Sequence, residues 1–179
     1  ELIGIIDTIP MKDSRLAHER SPSTEKFCTL SLDPKDTLNI SLKFWNKPTL
    51  IPNWESNMYH ESRPAQQRMF FHKPPKYLAI HFKIFEYNPN LNRFNKINKH
   101  IQFEESLNIE GFCFQKNDIK TKYTLFGVII HQGSYEFGHY IAYVFNDSNR
   151  KWHLYNDESI SQCNFENIQK ENVYMLFYK

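Results

Sequence analysis

Glycine is scarce in this chain, with five in 179 residues. Three of them, Gly127, Gly133 and Gly138, fall in one short stretch. Glycine is retained where a side chain would clash or where φ must be positive. Cysteine is scarce as well. Cys28, Cys113 and Cys163 form an odd, scattered set of three, which excludes a disulfide scaffold and points to reduced thiols in the cytoplasm and/or the nucleus. No apolar run approaches the roughly 20 residues that cross a bilayer, and no signal peptide is visible, so no membrane partner is expected. The net charge is only +2, which gives no reason to expect a nucleic-acid partner. The chain begins at Glu1 rather than Met, so a piece of a longer protein is expected.

Apolar and aromatic surface is plentiful. Apolar residues make up 40% of the chain and aromatic residues 16%. That is enough for one full-sized core, hence one domain or a large part of one. Aromatic side chains favour strands that pack against each other.

Leu2 to Ile9 has strand composition, and Met11–Lys26 is charged, with Ser21-Pro22-Ser23 suiting a loop. Phe27–Leu32 alternates as a strand that includes Cys28. Asp36-Thr37 offers a helix N-cap, and Leu38, Leu42 and Trp45 follow at helical spacing, which predicts a helix over about 37–46 ended by Pro48 and Pro52. Residues 47–75 are polar, interrupted by proline, and show no clear period. Tyr77–Phe85 is the cleanest strand, with Leu78, Ile80, Phe82 and Ile84 on one face and His81 and Lys83 on the other. Asn88–Asn92 reads as a turn, Phe94–Phe103 as further strand, and Glu104–Lys122 as a loop-rich connection. Strands are predicted at about 123–131, 139–146, 151–155 and 173–178, with a hairpin turn at Asn146–Asn149. The second half is therefore antiparallel β, with helix only near the start.

Chemistry concentrates between Tyr123 and Asp157. A strand enters a loop bracketed by glycines, Gly-His-Tyr follows at Gly138-His139-Tyr140, and a short aromatic strand ends at Asn156-Asp157. In a hairpin, the end of that strand returns to the level of His139. Asn156 can then orient the imidazole to take a thiol proton. Taken singly, Gly-His-Tyr also suits an ordinary hairpin loop, and Asn-Asp an ordinary turn. His131 fits either a place lining the site or a structural place at a strand end. His81 and His153 read as side chains on one sheet face, and His60, His72 and His100 as solvated.

These residues resemble the His box of the ubiquitin-specific proteases, the papain-like cysteine deubiquitinases. The matching positions are Tyr123, Leu125, Gly127-Val128, His131-x-Gly133, Gly138-His139-Tyr140, Trp152 and Tyr155-Asn156-Asp157, with Val173–Tyr178 as the closing strand. Upstream, Ala65–Arg68, Pro75, Tyr77–Phe85 and Phe94–Phe103 resemble the family's palm, and Phe27–Leu32 the strand before the finger helix. The resemblance implies an α+β, papain-like cysteine protease fold with an antiparallel β palm and a fingers extension. About 1–64 would be fingers-like and 65–179 the palm with the His box. It implies catalytic roles for His139, Asn156 and Asp157, and a loop over the ubiquitin tail built from Gln132, Gly133, Ser134, Tyr135, Glu136, Phe137, Gly138 and Tyr140. The implied partners are ubiquitin and ubiquitinated proteins. The palm wording is closest to members activated by WD40-repeat partners, so such an activator is expected too.

Three departures stand beside the likeness. The Gly-Asn-x-Cys-Tyr box that supplies the family's nucleophile and oxyanion-hole Asn is absent from these residues, so they read as the C-terminal part of a domain that is inactive alone. The paired Cys-x-x-Cys zinc ligands of the fingers are absent too. His18, Cys28 and His60 are too dispersed to replace a set of about four ligands, so no metal or other cofactor is expected. Ile84 stands where the palm strand usually has Arg. None of the three cysteines sits at a helix N-terminus, where a thiolate is stabilised. A ubiquitin-binding pseudoenzyme without catalysis, or a scaffold domain, is the alternative.

Overall fold

A computed structural model describes residues 2–8, 23–56, 60–114 and 120–179. Most of the charged stretch Met11–Lys26, with His18, lies outside them. Among the described residues, fourteen strands and two short α-helices follow one another. β1 (Leu2–Thr8), β2 (Ser23–Glu25), β3 (Thr29–Leu32), α1 (Leu38–Trp45), β4 (Thr49–Ser56) and β5 (Glu61–Phe71) come first. β6 (Leu78–Phe82), β7 (Phe85–Asn88), β8 (Arg93–Lys96) and β9 (Ser106–Asn108) follow, then a single 3₁₀ turn at Glu110–Phe112. β10 (Lys122–Gly133), β11 (Gly138–Asn146), β12 (Lys151–Asn156), β13 (Ser159–Cys163), α2 (Phe165–Ile168) and β14 (Val173–Tyr178) complete the chain.

The strands form an eight-stranded sheet ordered β13-β12-β11-β10-β14-β6-β3, with β9 on β10, a four-stranded sheet ordered β2-β1-β5-β4, and the β7–β8 hairpin. The larger sheet is antiparallel except where β3 runs parallel to β6. Its core follows from alternation. Leu30 and Leu32 of β3, Leu78, Ile80 and Phe82 of β6, Val128 and Ile130 of β10, Ile141 and Tyr143 of β11 and Leu176 of β14 are all buried. Leu38 and Leu42 of α1 join the same cluster, as do Ile101, Phe103 and Ile109 from the irregular stretch before β10.

The helix begins as its sequence dictates, since the Thr37 hydroxyl accepts the Ile40 N–H at 3.1 Å. Its predicted bounds match within a residue or two. Other expectations are corrected. Residues 47–75 hold two long strands. Pro52 sits inside a register shift of β4 between Ile51 and Trp54, and Pro64 of β5 lies opposite that shift, beyond the last β1 pair, Thr8 with Ala65. Both prolines therefore stand where the ladder asks for no N–H. Tyr77–Phe85 is not one strand: β6 ends at Phe82, and β7 starts a separate hairpin at Phe85. Strand after Phe94 stops at Lys96. Helix is not confined to the start, because α2 follows β13, a strand that polar Ser159–Cys163 did not announce. Cys28 is exposed and precedes β3 rather than lying on it, and His72 is half-buried rather than solvated. β3 belongs to the larger sheet, and β5 runs on to Phe71 in the smaller.

Candidate active site

Two hairpins of the larger sheet bring their ends together at one edge. β10 turns into β11 with Gly133 opposite Gly138, and the Ser134 N–H donates to the Phe137 carbonyl at 2.9 Å to close the turn. Gly133 has φ +86°, which side chains rarely adopt. Gly138 is required for a different reason: a Cβ there would lie 1.8 Å from His131 Nε2. His131 is buried, with its ring 4.7 Å from that of Tyr140 and 5.2 Å from that of Phe85, centroid to centroid. Its Nδ1 is buried with no hydrogen-bond partner among the described residues. Of the two places open to His131, the structure gives it the structural one, under the turn. Burial, and then the nearby Lys96 ammonium, hold its pKa below the usual histidine value.

His139 follows directly. β11 pairs with β12 from Ala142–Tyr155 to Asn146–Lys151, so the end of β12 returns beside the start of β11. His139 Nε2 lies 2.7 Å from Asn156 Oδ1. The amide oxygen accepts, so Nε2 carries the hydrogen and the neutral ring keeps its lone pair at Nδ1. Asp157 Oδ2 is 3.8 Å from the same Nε2. Asp157 has φ 50°, a left-handed conformation that Asp tolerates, and it turns the chain from β12 into β13. The His139 and Asp157 side chains are 42% and 78% exposed, so solvent screens the interaction between them. His139, Asn156 and Asp157 are thus brought together.

Gln132–Gly138 and Tyr140 are all exposed and form a continuous rim beside His139. Phe137 is the most exposed aromatic residue of the rim, at 80%. Tyr135 is not free: Phe94 stacks on it at 4.6 Å, and Phe85 meets it edge-on at 5.4 Å. Lys96 Nζ donates to the carbonyls of His131 at 2.6 Å and Gly133 at 2.9 Å. The β7–β8 hairpin therefore supports the rim. Nothing in the sequence linked Phe94 or Lys96 to the loop, because the contact is made across a long chain separation.

The set can hold and move a proton, but no thiol stands beside it. Cys163 pairs with Trp152 at the opposite end of β12 from Asn156, and burial raises its pKa. Cys113 is buried beside Phe71, and burial, with Glu110 adding, pushes its thiol up to about 11. Cys28 precedes β3, at the far edge of the sheet from β12. Among the described residues, no three His, Cys, Asp or Glu side chains cluster to hold a metal ion. A concavity of about 510 Å³, lined by Lys76, Tyr77, Thr124, Leu125, Asp147 and Lys179, opens at the other end of β10 and has no part in this site.

The family model for ubiquitin carboxyl-terminal hydrolase matches residues 11–178. The chain is 34% identical over 120 residues to ubiquitin carboxyl-terminal hydrolase 44 of Danio rerio, which covers 64% of this chain and 17% of that protein. It is 29% identical over 167 residues to ubiquitin carboxyl-terminal hydrolase 8 of Saccharomyces cerevisiae, covering 86% of this chain and 35% of that protein. Among solved structures it resembles the SAGA DUB module Ubp8/Sgf11/Sus1/Sgf73 bound to monoubiquitin, with TM-score 0.84, 27% identity, and coverage of 99% of this chain and 40% of that one. The same module bound to ubiquitin aldehyde gives TM-score 0.79 at 26% identity. The chain therefore spans well under half the length of the relatives it matches.

Proposed function

Because the chain belongs to the ubiquitin carboxyl-terminal hydrolase family, we propose that its parent protein is a thiol-dependent deubiquitinase. It hydrolyses peptide and isopeptide bonds at the C-terminal Gly of ubiquitin, and residues 1–179 are the fingers-like (about 1–64) and palm (65–179) part of its catalytic domain. The observation that carries this reading is the 2.7 Å contact from His139 Nε2 to Asn156 Oδ1. With its hydrogen on Nε2, the imidazole takes the nucleophile's thiol proton at Nδ1. The thiolate attacks the scissile carbonyl carbon, and the imidazolium then protonates the leaving amine. Water, deprotonated by the same ring, cleaves the acyl-thioester. Asn156 holds the ring plane through both steps, and Asp157, whose Oδ2 lies 3.8 Å from the same Nε2, supports Asn156 or the oxyanion region from behind.

The nucleophile and the oxyanion-hole Asn come from a Gly-Asn-x-Cys-Tyr segment outside these residues. The rim from Gln132 to Gly138, with Tyr140, borders the path of the ubiquitin tail. Ubiquitin bound to the structural relatives supports ubiquitin as the partner. A WD40-repeat activator, and a place in the cytoplasm and/or nucleus that suits free thiols, belong to the same reading.

The test uses a ubiquitin-based electrophile. Residues 1–179 alone should form no adduct and cleave no ubiquitin C-terminal amide. Adding a piece that bears the cysteine box, covalently or in trans, should bring both. Labelling of Cys28, Cys113 or Cys163 in the isolated chain would contradict the assignment. A completed domain that binds ubiquitin and never cuts it would favour a pseudoenzyme.

A further inference from the structure

We propose that Lys96 is a positioning residue: its ammonium takes the place of a neighbouring strand at the end of β10 and so fixes the hairpin that presents His139. The catalytic consequence rests on the function proposed above; the geometry does not. β10 is flanked by β11 on one edge and β14 on the other, and the pairing with β14 ends at Ile130 with Val173. Beyond that pair one edge of β10 has no strand among the described residues. Carbonyls two residues apart point to the same side of a strand. Those of His131 and Gly133 are such a pair, and Lys96 Nζ donates to both, at 2.6 and 2.9 Å. An ammonium has three donors and no acceptor, so one side chain closes two open carbonyls with charge-assisted bonds.

The residue between these carbonyls is Gln132, and Gln132 is the register partner of His139. Fixing 131 and 133 therefore fixes the peptide against which His139 is laid. The hairpin that supplies Lys96 also supplies Phe94, whose ring stacks on Tyr135 at 4.6 Å with a 24° tilt. The turn is held by charge at its base and by a ring at its tip, both from β8. Half-burial of Lys96 disfavours its charge, and the two carbonyls supply the compensation that keeps the ammonium in place. A neutral side chain of similar length leaves both carbonyls open, whereas Arg retains the charge and more than one donor.

The chain as it stands can be tested by NMR, without a nucleophile. Lys96→Met should speed hydrogen exchange at the Ser134 amide by about tenfold or more, as expected when hydrogen bonds to a charged group are lost. It should also broaden or mix the His139 ring nitrogen signals, which in the parent report hydrogen on Nε2. Lys96→Arg should keep both readouts near the parent, and amides at Ile80 and Leu176 should keep their protection in each variant. Unchanged Ser134 exchange and unchanged His139 signals in Lys96→Met would overturn the proposal. So would equal loosening in Lys96→Arg, or uniform loosening that includes Ile80 and Leu176, since Lys96 would then serve general stability. In a completed domain, Lys96→Met should lower kcat about tenfold with KM changed less. An inactive completed parent domain would count against the proposed function and leave the NMR result standing.

Discussion

Two histidines of one hairpin have opposite surroundings. His131 is packed beneath the turn among Phe85, Tyr140 and Tyr174, whereas His139 stands half in solvent with its Nε2 on Asn156. Burial keeps His131 neutral, so the folded chain takes up a proton there less readily than the unfolded chain, whose ordinary value is 6.5. Around and below that value the unfolded state binds more protons, and stability falls as pH drops through it, levelling once the folded state is protonated as well. His81, also lowered by burial and then by Lys83, acts in the same direction. Urea midpoints across this range should show the fall, and His131→Gln should flatten part of it; an identical slope in the variant would contradict the assignment. Gly138→Ala should be costly at any pH. Its Cβ would meet His131 Nε2 at 1.8 Å and the Gln132 carbonyl at 3.0 Å, so a loss of about 1–3 kcal/mol is expected in chemical unfolding. A neutral effect would mean the turn is looser than described. By local rules Gly138-His139-Tyr140 and Asn156-Asp157 marked only a hairpin loop and a strand-end turn, and it was the resemblance to the family's His box that joined His139, Asn156 and Asp157 into one set. The sequence could not display Lys96, whose partners are carbonyls, which every residue has, brought near only by the β7–β8 hairpin.

Among the elements, legibility followed alternation and capping. β6 and β10 were readable because buried and less buried positions alternate along much of each strand, and α1 because Thr37 announces it. Replacing Thr37 by Ala should remove the bond to the Ile40 N–H and cost about 1 kcal/mol, measurable as a lower urea midpoint. No change would mean that packing of Leu38 and Leu42 alone sets the helix start. β4 and β5 were not readable, since Pro52 and Pro64 are usually strand breakers. Only the coincidence of a register shift in one strand with the proline of the other makes them tolerable, and that coincidence is a tertiary fact. β13 escaped for a related reason: residues 159–162 are all exposed, so no buried face betrays the strand. α2, four residues long, is too short to show a period.

At the scale of the molecule, one sheet sorts its duties by position. One face carries the core, one end carries His139 and Asn156, and the thiols lie far along the strands from that end or buried. The chain covers 40% of the length of a ubiquitin-bound relative. On the proposed reading, His139 as base and Asn156 as its orienting amide need a thiol set beside Nδ1. The decisive measurement is therefore the rate of ubiquitin-amide cleavage by a domain completed with a cysteine-box segment, compared with its His139→Ala and Asn156→Ala forms. The completed domain should cleave, His139→Ala should lose about 10²–10⁴-fold in kcat, and Asn156→Ala should lose less, because the base survives in a poorer orientation. Undiminished cleavage by His139→Ala would contradict the assignment of His139 as the base.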